Sequence, residues 1–126
     1  MTRLTRQIRH YALRLALPGL VALATLGTAP AQAAGPTCNG VPATNTGFGK
    51  IVGTDGDDVI VGSQIGDTID GRGGNDIICG GNGNDRLSGN GGKDRLYGGS
   101  GRDSLDGGPG RDTCNGGPGK DTTRSC

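Results

Sequence analysis

The chain has 126 residues, with 13 basic and 12 acidic side chains for a net charge of +1, one histidine and 28 glycines. Only 2% of its residues are aromatic and 31% are hydrophobic, so apolar burial alone does not offset the entropy lost in ordering so glycine-rich a backbone. These counts exclude a domain held by an ordinary hydrophobic core. Metal ions and disulfides are the two sources of stability left for a small domain.

Residues 1–33 have the pattern of a secretory signal peptide. Four arginines accompany a mostly apolar stretch from Leu13 to Leu26, and Ala31-Gln32-Ala33 offers a cleavage site with small residues at both ends. The apolar stretch falls short of the ~20 residues that span a bilayer. We therefore predict a cleaved signal rather than a membrane span, and a secreted, extracellular protein.

Removal of the signal changes the chemistry that the chain offers. His10 leaves with it, and the rest carries nine basic side chains and twelve acidic ones, all Asp, for a net charge of −3. Without a histidine, Ser100, Ser104 and Asp106 have no ordinary general base, so we expect no enzyme activity. A negative chain with two aromatic side chains also lacks a basic stacking groove, so we expect no nucleic acid partner.

The N-terminal segment, residues 34–52, is rich in turn-forming residues. Its last three residues, Lys50-Ile51-Val52, are in phase with the repeats that follow. They predict a first strand, so that this segment caps the repeats.

Residues 53–124 are a run of nonapeptides without an insertion, followed by a tail of residues 125–126. The eight copies read GTDGDDVIV, GSQIGDTID, GRGGNDIIC, GGNGNDRLS, GNGGKDRLY, GGSGRDSLD, GGPGRDTCN and GGPGKDTTR. Position one is always Gly and position four is Gly in seven copies, and we expect these glycines to supply the positive φ of tight turns. Position eight holds the anchor residue: Ile60, Ile69, Ile78, Leu87, Leu96, Leu105, Cys114 and Thr123.

This period predicts short strands rather than a flexible linker. An apolar residue between two polar ones is the shortest half-buried strand. A glycine-rich linker has no reason to place an aliphatic residue at every ninth position with Asp two residues before it. We expect disorder only in the metal-free chain.

Position six is Asp in all eight copies and points to a metal site. A purely structural turn would accept Asn or Ser in some copies, so the strict choice of a short carboxylate indicates charge. Calcium takes six to eight oxygen ligands, which carboxylates and backbone carbonyls provide. Zinc would require clustered His or Cys, and magnesium keeps its waters in stricter octahedra. We therefore predict Ca²⁺ as the bound ion.

The nonapeptides resemble the RTX, or hemolysin-type, calcium-binding repeat G-G-x-G-x-D-x-U-x. GGNGNDRLS and GGSGRDSLD match every fixed position, while other copies depart from it at position two, at Thr54, Ser63, Arg72 and Asn90. The resemblance implies an all-β fold, namely a parallel β-roll (a right-handed β-solenoid) of eight repeats with a short N-terminal cap. Two nonapeptides make one coil in that fold, and successive copies lie on opposite sides.

The resemblance also implies where calcium binds. Each ion lies between copies that are two apart, held by the position-six Asp of both and by carbonyls of the first four positions. One column would stack Asp58, Asp76, Asp94 and Asp112, and the other Asp67, Asp85, Asp103 and Asp121. The turn carbonyls lie near Gly56, Gly74, Gly83, Gly92, Gly101, Gly110 and Gly119. Three gaps in each column set a ceiling of six ions.

Two departures lower the expected number of ions to between three and five. Ile65 replaces the position-four glycine, so the site between Asp67 and Asp85 is the least secure. Position five turns basic toward the C-terminus, at Lys93, Arg102, Arg111 and Lys120, and a cation beside a calcium site weakens it unless the side chain points into water.

The four cysteines, behind a predicted secretion signal, indicate two disulfides. On the implied roll, Cys79 and Cys114 lie two coils apart, about 10 Å by rung spacing, which is too far for a bridge. Among the three pairings we favour Cys38–Cys79, which would hold the N-terminal segment on the roll, and Cys114–Cys126, which would close its C-terminal end.

The function that the sequence favours is a secreted, non-catalytic, monomeric calcium-binding protein that folds on binding its ions. The alternative is a calcium-dependent adhesive module, since stacked repeats make flat, regular faces that a cell wall or another surface could contact. The outward positions are too irregular for the threonine ladder of an ice-binding face.

Overall fold

Every regular element in residues 34–126, the part of the chain that the computed structural model describes, is a β-strand. The predicted signal peptide lies outside the described residues. No helix long and apolar enough to cross a bilayer is found in residues 34–126. The described part begins with an antiparallel hairpin of β1 (Thr37–Cys38) and β2 (Val41–Pro42). The short β3 (Asn45–Thr46) and β4 (Lys50–Val52) follow, and β4 is the first strand expected from the sequence.

Eight further strands start at intervals of nine residues, each at position seven of a nonapeptide. An apolar residue between two outward-facing neighbours is enough to define all of them except the last, which has Thr123 at its centre. β7 and β9 are longer because they run on through the glycines that follow. The strands are β5 (Val59–Val61), β6 (Thr68–Asp70), β7 (Ile77–Asn82), β8 (Arg86–Ser88), β9 (Arg95–Ser100), β10 (Ser104–Asp106), β11 (Thr113–Asn115) and β12 (Thr122–Arg124).

Alternate strands build two parallel sheets. One has the order β12-β10-β8-β6-β4 and the other β11-β9-β7-β5-β3. Partners are 18 residues apart from β4 onward, as in the pair Ile78 and Leu96, so two nonapeptides complete one coil. The fold is therefore the predicted all-β parallel β-roll, a solenoid of about four turns.

The core is a single row of side chains between the two sheets. Ile51 and the position-eight residues from Ile60 to Leu105 form one buried cluster with at most 5% exposure. Cys114 is only partly buried against this cluster, and Thr123 is exposed. The position-eight row is thus the predicted core, and it thins out at the C-terminal end.

Two disulfides join the ends of the described chain to the roll. Cys38 pairs with Cys79 at a Cα–Cα distance of 5.6 Å, and Cys114 pairs with Cys126 at 5.7 Å. These are the pairs that the sequence favours. Cys38 is fully buried, and the Asn39 amide donates a hydrogen bond to the Tyr97 hydroxyl at 3.2 Å. The β1–β2 hairpin is therefore fixed to the outer side of the β5–β7–β9 sheet.

Candidate metal centre

The position-six aspartates stack in the two columns expected from the sequence. In each column the backbone N–H of one Asp donates to Oδ1 of the Asp 18 residues further on. The donor–acceptor distances are 2.9, 2.8 and 2.8 Å from Asp58 to Asp112. They are 2.7, 2.8 and 2.9 Å from Asp67 to Asp121. One carboxylate oxygen of each Asp therefore holds two coils together.

The N-terminal segment closes both columns. The Gly49 N–H donates to Oδ1 of Asp67, and the Thr44 hydroxyl lies 3.4 Å from Oδ1 of Asp58. Gly49 occupies the place that position six would have in a preceding nonapeptide. The segment thus continues the hydrogen-bond ladder without adding a carboxylate.

The second oxygen, Oδ2, lies against the position-one glycine of its own nonapeptide. A Cβ at Gly53 would be 2.8 Å from Oδ2 of Asp58, and a Cβ at Gly89 would be closer still to Oδ2 of Asp94. None of the position-one glycines has a positive φ, so our expectation for this position was wrong. Position one requires glycine because a carboxylate fills the space that any Cβ would occupy.

Positive φ occurs instead at positions two and four. Gly74 and Gly83 have φ of 102° and 104° at position four, and Arg72 and Asn90 have φ of 75° and 66° at position two. At position four our expectation was right from Gly74 onward. Asn tolerates the left-handed region better than most residues, which explains one of the departures from glycine at position two.

Five of the eight Oδ2 atoms are buried without a hydrogen-bond partner, namely those of Asp76, Asp85, Asp94, Asp103 and Asp112. An unsatisfied buried group costs about 1–3 kcal/mol, and more when it is charged. Each of these carboxylates therefore has an oxygen that nothing among residues 34–126 satisfies.

The first two nonapeptides satisfy Oδ2 with a hydroxyl residue at position two. The backbone N–H and hydroxyl of Thr54 donate to Oδ2 of Asp58 at 2.6 and 2.9 Å. Ser63 makes the same two bonds to Asp67, at the same distances. Sequence reasoning treated Thr54 and Ser63 only as departures from glycine. The hydroxyl four residues before the Asp was the signal that could have identified them.

Backbone carbonyls of position four point from one coil toward the next. The carbonyl oxygen is the atom closest to a Cβ placed on the glycine one coil further on in four gaps: Gly74 to Gly92, Gly83 to Gly101, Gly92 to Gly110 and Gly101 to Gly119. The two earliest gaps differ. A Cβ on Gly83 would lie nearest to the backbone of the Ile65–Gly66 peptide, with no carbonyl oxygen among its three nearest atoms. A Cβ on Gly74 would lie 2.5 Å from the carbonyl carbon of Gly56 and 2.6 Å from its oxygen.

Burial raises the pKa of three of the column carboxylates, those of Asp76, Asp85 and Asp94. Desolvation, with the charge of Asp94 adding to it, raises the pKa of Asp76 from 3.8 to about 6, although the hydrogen bond from the Asp58 backbone opposes the shift. Desolvation likewise raises the pKa of Asp85 to about 6 and raises the pKa of Asp94. At neutral pH the ionised carboxylates of Asp76 and Asp85 therefore destabilise the metal-free roll.

The donor set fits a hard cation held jointly by side chains and backbone. No three Asp, Glu, His or Cys side chains in residues 34–126 come together as a metal-binding group. A cation in a gap would instead be held by unpartnered Oδ2 atoms, such as those of Asp76 and Asp94, and by carbonyls such as that of Gly74. Such an all-oxygen set suits Ca²⁺.

Comparison with known families agrees with this chemistry. A family model described as the RTX calcium-binding nonapeptide repeat (4 copies) matches residues 52–87 and 88–123. The two matches cover more than half of the 126 residues. No curated protein and no solved structure matches the chain.

The carboxylate contact at position one can be tested within one nonapeptide. We expect Gly89→Ala to destabilise the folded protein by roughly 1–3 kcal/mol, because its Cβ would collide with the Asp94 carboxylate. Gly91→Ala is the matched control, since a Cβ there meets nothing within 4 Å. The measurement is urea unfolding in calcium, followed by circular dichroism. Equal midpoints for the two variants would contradict the proposed reason for glycine at position one.

The raised pKa values predict an unusual pH dependence for the metal-free chain. A carboxyl group with a raised pKa in the folded state favours folding while it is protonated, so its contribution is full below about pH 3.8 and is lost as the pH rises through about 6. We expect the β-structure content in chelator to be higher at pH 4 than at pH 7. Circular dichroism across this range checks it, and a β-structure content that rises with pH would oppose it.

Proposed function

The chain belongs to the RTX calcium-binding nonapeptide repeat family, and we propose that it is a secreted calcium-ion-binding protein without catalytic activity that folds when Ca²⁺ occupies the gaps between coils. The observation that carries the proposal is the set of five buried Oδ2 atoms without a partner. Two disulfides are consistent with an oxidising environment outside the cell.

Folding on calcium binding follows from the energetics of the columns. Without a cation, each column stacks ionised carboxylates that repel one another and are poorly solvated. The core that opposes this cost is one row of seven aliphatic side chains, with Cys114 packed partly against it. Because the complete site exists only in the folded roll, the free energy of calcium binding stabilises the fold directly.

The geometry narrows the proposed number of ions within the expected range of three to five. Four of the six gaps have a position-four carbonyl directed into them. The gap between Asp67 and Asp85, where Ile65 replaces the glycine, lacks one, and in the gap between Asp58 and Asp76 the carbon and oxygen of the Gly56 carbonyl are almost equally close to Gly74. In both of these gaps one Asp already has its Oδ2 satisfied by a hydroxyl. We therefore propose four ions in the last three coils.

Calcium titration of the metal-free protein tests the function. We expect a change from coil to β-structure by circular dichroism on addition of millimolar calcium, and calorimetry should give a stoichiometry near four. Magnesium at the same concentration is the control for ionic strength. Identical spectra in calcium and in chelator, or fewer than two bound ions, would contradict the proposal.

Asp94→Asn tests whether Asp94 is a calcium ligand while it keeps the hydrogen bond that this residue accepts from Asp76. The amide oxygen can still accept the bond from the Asp76 N–H, but the negative charge is lost. Since Asp94 borders two gaps, we expect calorimetry to show up to two fewer calcium ions, whereas the stability of the metal-free chain at pH 7 should stay the same or rise. Asp106→Asn, on the outer face of β10, is the control. Unchanged stoichiometry for Asp94→Asn would remove it from the ligand set.

A further inference from the structure

Basic side chains are concentrated in the C-terminal coils. Residues 80–126 contain seven of the nine basic side chains of the described part, whereas residues 34–79 contain only Lys50 and Arg72. All but one of the six aspartates in residues 80–126 belong to the two Asp columns, Asp106 being the exception. Once calcium neutralises the columns, this half of the roll presents an almost purely cationic surface.

Four of these cations are at position five, where the turns form the two edges of the roll. Lys93 and Arg111 follow one another on one edge, and Arg102 and Lys120 on the other, all exposed. We call these four residues the basic edges. Neighbours on an edge belong to successive coils, about 4.8 Å apart by rung spacing.

The fold does not require cations at these positions. At the equivalent places in earlier coils, Asn75 Oδ1 accepts the Lys93 backbone N–H and Asn84 Oδ1 accepts the Arg102 backbone N–H, both at 2.9 Å. Asn at position five therefore links two coils, and Lys or Arg cannot do so because neither has an acceptor. Lys93 and Arg102 therefore give up this stabilising bond to the backbone of Arg111 and Lys120, which points to a role outside the fold.

The surroundings of the basic edges favour a hydroxylated, anionic polymer. A shallow depression over β8, β10 and β12 is lined by Arg86, Ser104, Thr122 and Arg124, with Asp106 as its acidic member. A second depression brings Lys93 and Arg95 beside Asn75. Guanidinium groups bind planar anions in a bidentate manner, and the hydroxyl and amide groups offer hydrogen bonds to sugar hydroxyls.

Two other polyanionic partners, an anionic membrane and a nucleic acid, fit less well. The exposed large hydrophobic side chains of the described part, Val41, Phe48 and Ile65, all lie before residue 80, so the basic coils have nothing to insert into a bilayer. Their one aromatic residue, Tyr97, is partly buried and bonded to Asn39, so they have no platform on which bases could stack.

We propose that the basic edges and the arginines beside them form a calcium-gated docking surface for an acidic polysaccharide. The gating rests on the proposed function. Without calcium, the column aspartates offset the cations and the coils that align them do not form. Binding is reciprocal by linkage, so the polymer should also raise the calcium affinity, because it neutralises cations that lie next to the ion sites.

The test compares two double variants of the same net charge. Lys93→Asn/Arg111→Asn removes one basic edge and substitutes the residue that Asn75 shows to be compatible with the fold, whereas Lys50→Gln/Arg72→Asn removes the two cations of the N-terminal coils. The probe is labelled chondroitin sulfate in millimolar calcium, followed by fluorescence anisotropy. We expect roughly tenfold weaker binding for the first variant and about twofold or less for the second.

Parallel measurements distinguish the alternatives. Binding should disappear in chelator and with neutral dextran. Equal losses for both variants, binding that persists in chelator, or tighter binding to duplex DNA or to phosphatidylglycerol vesicles would each overturn the proposal. Circular dichroism of the same samples distinguishes failure of the docking surface from failure of the proposed function. Calcium-induced β-structure without polysaccharide binding refutes the docking surface alone. No change of the spectrum with calcium refutes the proposed function as well.

Discussion

The structure depends on carboxylates buried in register between coils. Each position-six Asp uses Oδ1 to hold the coil before it, and this places Oδ2 against the glycine that opens the same nonapeptide. The bond that aligns the coils thus creates the need for glycine at position one. It also leaves a charged oxygen in a place where the protein provides no donor. In the proposed function a cation between coils satisfies this oxygen, since a backbone carbonyl cannot donate to a carboxylate.

The roll is not uniform along its axis. The first coil satisfies its carboxylates with the hydroxyls of Thr54 and Ser63, and the Cys38–Cys79 disulfide fixes the hairpin beside it. The later coils have glycine, Arg or Asn at position two, unpartnered Oδ2 atoms and carbonyls directed into the gaps. The proposed calcium sites and the basic surface charge therefore lie in the same C-terminal part of the roll. With calcium in the columns as proposed, the cations at position five and the bound ions interact electrostatically, so the affinity of each for its partner would depend on the other.

The ends of a solenoid require separate treatment because they lack a neighbouring coil. At the N-terminal end, Gly49 and Thr44 complete the Asp columns with hydrogen bonds. At the C-terminal end, the core residue is replaced by Cys114 and then by the exposed Thr123, and the Cys114–Cys126 disulfide holds the last turn. A disulfide limits the entropy of the unfolded chain without requiring apolar burial, which suits a coil whose core is nearly absent.

The strands and the core row were predictable from the nine-residue period, because an aliphatic residue recurs at position eight from Ile60 to Leu105. The two Asp columns were predicted from the resemblance to the RTX repeat, which implies that two nonapeptides make one coil. The prediction that the position-one glycines have positive φ was wrong. The sequence also did not identify Thr54 and Ser63 as hydrogen-bond partners of Asp58 and Asp67. It also did not show that the gaps after Asp58 and Asp67 both begin with a carboxylate whose Oδ2 is already bonded to a hydroxyl. These features depend on where the folded backbone places Oδ2 against positions one and two of the same nonapeptide, and this placement is fixed by the Oδ1 bond between coils. A local pattern records which residue recurs, but only the stacked coils show which oxygen has a partner and which glycine leaves room for it.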